Sequence, residues 1–511
     1  MDSSLQHNPG LKEVGFYERI EVIKNKMHTY LKFAKQTIIM AALGVLSGVQ
    51  GIIFLPIITK ILGAQNYGIW VQVQITMGLL VPLTFFGLGE ALGRFLPGEK
   101  DVKKIQEGIY SSLVFVVCVN VMLALLLVVF SGSLAVFLGF EPIFVKLLSW
   151  LIIFEGANAV FLTAVLFKRE IGKYFWFAVL KMFGETALVV LAILFGYGLY
   201  GSVLAFLLIR IIVFFMLFIY VVRKYGIKFP DFSLLKPYMK FGLPTMTNGL
   251  AYGAITSADR YIIGFFLGIL FVGYYAPAYS LGMLLLFFIL PIMSLLNIVL
   301  PKLFDDNDLP AVKSHLSHSL KYFLLLMIPA VLGLSVLARQ LLTIFSTKEI
   351  AAHAHAVVPF IAASMLAYGL IMFFLTMLSL LKKTKVIAAI WVVAAMVNIT
   401  LNLIFTPKFG IIAAAIITLI SYLCALVLMW YSAFREFQFK IDWNFIAKSL
   451  AASVLMALGI IWFGPAGLLG VIMAIVLGAV AYGILIFLLG GIGKKEIIFL
   501  KNLMGFMPDK I

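Results

Sequence analysis

The amino-acid sequence predicts an all-α polytopic protein that crosses a membrane fourteen times, as two six-helix lobes plus a terminal helix pair. Three observations carry that expectation. Of 511 residues, 63% are hydrophobic and only 12% charged, with a mean hydropathy of +1.11, whereas a soluble domain carries roughly 25% charged residues. Apolar runs of the length needed to cross hydrocarbon, about 20 residues for roughly 30 Å, recur along the whole chain. Lys and Arg collect on alternate connections between those runs. The aromatic share of 14%, with 46 Phe and 20 Tyr, fits rings that face lipid tails and both interfaces.

Taken in order, residues 1–36 read as a basic amphipathic lead holding Lys24, Lys26, Lys32 and Lys35. The first long apolar run begins near Thr37, too late and too long for a cleavable signal. Spans one to six fall at 37–62, 69–96, 108–130, 144–167, 174–195 and 199–221, making a first lobe over 37–221. A cytoplasmic linker, 222–240, leads to the second lobe, 241–433, with spans at 241–265, 272–300, 317–345, 356–380, 385–405 and 410–433. A final pair, 446–463 and 466–489, occupies 446–489, and 490–511 is a cytoplasmic tail.

Basic residues near span ends are retained in the cytoplasm. With the N-terminus inside, all 39 Lys and Arg fall on inner segments except Lys60, Lys146, Arg339, Lys348 and Lys408 outside and Lys181, Arg210 and Arg260 within spans. Both termini are therefore expected in the cytoplasm of a multi-pass cell-membrane protein. The formal charge of +17 reports topology and not nucleic-acid binding.

An internal repeat fits this map. Leu62-Gly63 followed by Gly68-Ile69-Trp70 recurs as Leu267-Gly268 followed by Gly273-Tyr274-Tyr275, and Gly44 and Gly48 correspond to Gly249 and Gly253. Pro97 matches Pro301, Lys168-Arg169 resembles Lys382-Lys383, and Gly198 resembles Gly410. Related six-helix halves in the same orientation are a transporter architecture, with the substrate path at their interface.

The residue types that catalysis needs are scarce. Enzymes acting on lipid-linked sugars need carboxylates or histidines on a sizeable extracytoplasmic loop, and the outer connections here are short. His353 and His355, two apart, do not share a helical face. Cys118 and Cys424 sit in apolar runs away from any Cys/His cluster. No phosphate-cradling loop appears, and neither a metal nor a cofactor is indicated.

Charges within spans are the informative residues, because a charge at the bilayer centre costs at least about 2.5 kcal/mol and faces a bundle interior or a wet cavity. In the first half these are Glu155, Lys181, Glu185 and Arg210, with Glu90 and Arg94 at the inner end of span two. Glu155, Glu185 and Arg210 fall at similar depth, and Lys181 lies one turn from Glu185. They read either as an ion-pair network locking spans four to six or as a polar cavity wall meeting an anionic headgroup. In the second half Asp259 and Arg260 lie near the outer end of span seven, after a polar stripe of Thr245, Asn248, Gly249, Tyr252 and Thr256. Lys60 stands near the outer end of span one. Pro56, Pro82, Pro291 and Pro329 allow kinks.

Three stretches resemble the Wzx-like polysaccharide flippases of the multidrug/oligosaccharidyl-lipid/polysaccharide exporter superfamily. They are Pro56-Ile57-Ile58-Thr59-Lys60-Ile61-Leu62-Gly63 with Tyr67-Gly68-Ile69-Trp70; Phe241-Gly242-Leu243-Pro244 leading to Ala258-Asp259-Arg260-Tyr261-Ile262-Ile263-Gly264 and Gly273-Tyr274-Tyr275; and the small-residue start of span twelve after Lys408-Phe409-Gly410. The resemblance implies two six-helix lobes in a V shape that open alternately to each side, an electropositive central cavity, and outward movement of a polyprenyl- or dolichyl-diphosphate-linked oligosaccharide. The implied partners are that substrate, membrane lipids, a coupling cation (Na+ or H+) and a polysaccharide polymerase or ligase complex. Arg260 matches the family's motif arginine, while Arg94, Lys181, Arg210 and Lys60 are assigned to substrate by location. Asp259, Glu185, Glu155 and Glu90 are assigned to ion coupling or charge pairing. A drug or cation antiporter of the same superfamily, a membrane glycosyltransferase or polymerase, and a scaffold of an assembly complex are the competing readings.

Overall fold

The computed structural model describes residues 16–168 and 170–491, and all regular structure among them is helical. In chain order the helices are α1 (Phe16–Phe85), α2 (Leu88–Phe95), α3 (Val102–Val129), α4 (Ser131–Leu138), α5 (Pro142–Phe167), α6 (Ile171–Leu194), α7 (Gly198–Tyr225), α8 (Leu235–Phe266), α9 (Ile269–Met283), α10 (Leu286–Asp305), α11 (Leu309–Val336), α12 (Ala338–Phe345), α13 (Lys348–Ala354), α14 (Val357–Leu380), α15 (Thr384–Phe434), α16 (Trp443–Phe463) and α17 (Gly467–Leu488). Residues 1–15, Arg169 and the tail from 492 onward lie outside the described residues, as do the side chains of Thr245, Asn248 and Tyr252.

Eleven helices among the described residues are long and apolar enough to cross a membrane. Two of them hold two spans each, because α1 reverses at Gly63 (φ 76°) and α15 at Gly410 (φ 74°). Only glycine adopts that left-handed backbone without a steric penalty. The 32-residue α8 supplies one more, so the chain is a fourteen-span membrane protein. Gly268, the repeat partner of Gly63, also has a positive φ of 97°, and Gly198, the partner of Gly410, one of 58°. Gly63 and Gly268, with ψ of 173° and 162°, are thus the same kind of turn in each half.

Three spans are less regular than their apolar runs predict. Span two breaks at Phe86 and Gly87, both at positive φ, between α1 and α2. Span eight breaks between α9 and α10, where Leu284 and Leu285 donate to carbonyls three residues back. Span nine ends at Leu337 and turns into α12. Aspartates cap helices that follow tight turns: Asp101 accepts from the Lys103 amide, Asp308 from Ala311 and Asp442 from Phe445, at 2.9–3.0 Å. A side-chain acceptor here satisfies an amide the helix itself leaves orphaned.

The apolar interior forms two bodies. The larger runs from Ile58, Trp70 and Leu148 through Tyr275 and Tyr279 to Phe323, Phe373 and Met429. The smaller, built on Leu88, Leu92, Ile109, Phe161 and Val213, gathers α2, α3, α5 and α7 at one end of the first half. Large apolar side chains such as Leu469, Val476 and Phe487 on α17 remain exposed, as lipid contact requires.

Candidate functional site: a cavity between the two halves

A cavity of about 790 Å³ lies between α1 and α6 on one side and α9 and α10 on the other. Ser47, Gly48, Gln50, Phe54, Tyr67, Trp70 and Gln74 come from the two limbs of α1, and Ser280, Leu284 and Phe287 from the broken span eight. Helix α6 contributes Tyr174, Ala178, Lys181, Met182 and Glu185, a stripe at three- and four-residue spacing. Lys181 and Glu185 are the charged residues of this wall. The electropositive cavity that the resemblance implies is therefore close to neutral at its surface. Gly48 is small for a reason: a Cβ there would overlap the Phe287 ring from the opposite half.

Behind the wall the structure brings together the four charges of spans four to six. Lys181 pairs with Glu155, and Arg210 reaches Glu155 at 3.4 Å through Nε and Glu185 at 3.2 Å through both terminal nitrogens. The Arg210 guanidinium lies 3.4 Å from the Phe206 ring centroid, and Asn158 holds the Arg210 carbonyl at 3.0 Å. Arg210 is 3% exposed and Lys181 20%. Two acids and two bases neutralise one another, which is what makes their burial tolerable. Gln50 donates to Thr186 at 2.8 Å and ties α1 to the same helix.

Asp259 and Arg260 form a second buried unit. Asp259 is fully buried and accepts the Tyr275 hydroxyl at 2.6 Å. Arg260 stands 3.7 Å from Asp259, donates to the Thr256 carbonyl, and lies 4.0 Å from the Tyr279 ring centroid. Neither residue lines the cavity. Tyr67, which does, shares the wall with Ser280 and sits in the field of Arg260. The Tyr261 hydroxyl bridges to Thr76 across the halves at 3.0 Å.

The halves touch at both ends. At one end a Cβ on Gly68 would overlap the Ile269 carbonyl and one on Gly273 the Ala64 carbonyl, while the Phe137 and Phe265 rings meet at 5.1 Å. At the other end Gly87 and Gly242 approach backbone to backbone, and Phe95 stacks on Tyr238 at 5.0 Å. Arg94 is exposed there, 5.6 Å from the Phe241 ring centroid. Glu90 and Lys60 are exposed and lie off the cavity. The aromatic cradle of Arg260 has only a weak sequence signal, Tyr275 and Tyr279 four apart on one helix. The buried ladder in α15, where Thr406 donates to Asn402 at 2.7 Å and Asn402 to the Asn398 carbonyl at 3.0 Å, is marked in the sequence by polar residues at four-residue spacing.

The family described as polysaccharide biosynthesis protein matches residues 57–355. A curated relative, the probable low-salt glycan biosynthesis flippase Agl15 of Haloferax volcanii, is 24% identical over 466 residues, 88% of this chain and 93% of its own. Among solved structures, the lipid II flippase MurJ in an inward closed conformation superimposes with a TM-score of 0.74 at 18% identity, over 91% of this chain and 100% of that one. An inward-facing multidrug resistance MATE transporter of the MOP superfamily gives 0.60 at 15% identity, over 76% and 94%. These likenesses carry the fold.

Proposed function

The chain belongs to the polysaccharide biosynthesis protein family, and from that premise we propose that it is a flippase and not an enzyme. It moves a polyprenyl- or dolichyl-diphosphate-linked oligosaccharide from the cytoplasmic to the outer leaflet by alternating access. The observation that carries this reading is the cavity bearing Lys181 and Glu185 between two halves that meet through glycines at both ends. The lipid tail stays in hydrocarbon while sugar and diphosphate cross in the cavity, so the barrier being lowered is desolvation of the headgroup.

Lys181 is the residue we assign to the diphosphate, because it is the base on the cavity wall. Arg210 already contacts both Glu155 and Glu185, so Lys181 can exchange Glu155 for a phosphate oxygen without stranding either acid. Arg94 is assigned to capture at the inner end, and Arg260 and Lys60 to the outer end once the halves part. Asp259, Glu155, Glu185 and Glu90 are the candidate sites for a coupling Na+ or H+, and a polymerase or ligase complex is the expected recipient of the product. A cation antiporter is the second reading, favoured by Glu185 among Phe54, Tyr67, Trp70 and Tyr174, since such a wall suits a cationic guest.

The experiment is reconstitution into sided proteoliposomes with either a defined lipid-linked oligosaccharide or a cationic dye. Movement of the glycan that is lost in Lys181→Ala supports the flippase. Dye export with an immobile glycan overturns it in favour of the antiporter.

A further inference from the structure

A second groove, of about 520 Å³, runs along the seam of α6 and α7 at their shared basic end. Its walls are Lys173 and Phe177 of α6 and Met216, Ile219, Tyr220, Arg223 and Lys224 of α7. No residue of α7 lines the central cavity, and Lys173 and Phe177 precede by one position the cavity-lining Tyr174 and Ala178. One residue turns the helix by about 100°. The groove therefore opens on a face of the first half separate from the transport path.

Its two ends differ in chemistry. Met216 and Ile219 are 44% and 48% exposed and continue the lipid-facing side of α7. The other end holds three bases, Lys173, Arg223 and Lys224, beside one carboxylate among the described residues. That acid, Glu170, pairs with Lys224, with Lys173 at 3.3 Å, and with the Tyr220 hydroxyl. Lys173 also donates to the Tyr220 hydroxyl at 2.9 Å, its ammonium 4.5 Å from that ring's centroid. Three bases against one acid leave this end net positive, and Arg223 is exposed with no ion pair among those of the described residues.

We infer that this groove binds an anionic phospholipid of the surrounding membrane, its phosphate against Lys173, Arg223 and Lys224 and an acyl chain along Met216 and Ile219. A basic pocket at the hydrocarbon edge, with an apolar track leading away from it, matches a lipid headgroup and tail in polarity and order. A free anion would use only the basic end. The substrate's own lipid is disfavoured because the groove does not open into the cavity.

Native mass spectrometry of the detergent-purified chain, titrated with phosphatidylglycerol and with phosphatidylcholine, tests this. We expect phosphatidylglycerol to bind in preference. Lys173→Gln/Arg223→Gln/Lys224→Gln should weaken it by on the order of tenfold to a hundredfold, given the attraction each juxtamembrane base contributes. The single variant Arg223→Glu, which leaves the Glu170 pairs in place, should weaken it in the same direction. Lys100→Gln/Lys103→Gln/Lys104→Gln, with the same charge change on exposed lysines at the same end, should leave it unchanged. Equal loss in that control, retention in the first variant, or no preference in the unaltered chain overturns the site. Displacement of phosphatidylglycerol by an equal concentration of undecaprenyl diphosphate overturns the assigned occupant.

Discussion

Arg210 and Lys181 carry the same charge in the same network, yet their positions give them different work. Arg210 is 3% exposed, lies between Glu155 and Glu185, and is stacked on Phe206. Arg210→Gln leaves two buried carboxylates with one lysine between them. Removing one partner from a buried pair costs about 3–5 kcal/mol. Lys181→Gln leaves Glu155 still 3.4 Å from Arg210 and removes a side chain that is 20% exposed at a cavity wall. That loss is nearer the value for partly solvated pairs, roughly 1 kcal/mol or less. The thermal unfolding midpoint of each detergent-purified variant, followed by flipping per folded molecule after reconstitution, separates the two roles. Arg210→Gln should unfold well below the parent chain, and Lys181→Gln should stay near it while losing transport. A Lys181→Gln variant as destabilised as Arg210→Gln, with normal flipping per folded molecule, would show that the network is structural throughout.

Other substitutions address the ends and the second charged unit. Gly273→Leu places a side chain against the Ala64 carbonyl, and overpacking of about 1–3 kcal/mol should shift that end toward open by roughly 5- to 150-fold. Labelling of Thr76→Cys by an impermeant maleimide should rise accordingly. Gly242→Leu, against Gly87, should open the other end and raise labelling of Phe95→Cys while lowering that of Thr76→Cys, since the two ends open alternately. Tyr275→Phe removes the 2.6 Å donor of buried Asp259 and should cost about 1–3 kcal/mol, seen as a lower unfolding midpoint.

Most of the fold is legible because each apolar run has one physical use in a membrane. Gly63 and Gly410 mark turns so short that the helices on either side run together, and the sequence still separates them through Lys60 and Lys408 nearby. The breaks at Phe86 and Leu284 are not legible, since both lie within continuous apolar runs and are set by packing of the halves. Burial of Glu155, Glu185 and Arg210 in one network follows from their common depth on consecutive spans, and Lys181 joins it from one turn away. What depth does not reveal is azimuth. Lys181 faces the cavity and Arg210 faces Phe206, a difference of rotation about two helices. Arg260 illustrates the same limit, for its motif is plain in the sequence while its enclosure by Tyr275 and Tyr279 depends on how α8 meets α9.

If a lipid-linked glycan crosses between the two halves, locking them together must stop it. Phe137 and Phe265, whose rings meet at 5.1 Å across them, offer a lock when both are replaced by cysteine in a chain with Cys118 and Cys424 changed to alanine. Sided proteoliposomes of that variant, with a defined polyprenyl-diphosphate oligosaccharide, should flip the glycan when the thiols are free. They should stop when a short cleavable crosslinker joins the pair and recover when it is cleaved. Undiminished movement in the crosslinked protein, or none with the thiols free in a folded sample, contradicts the account.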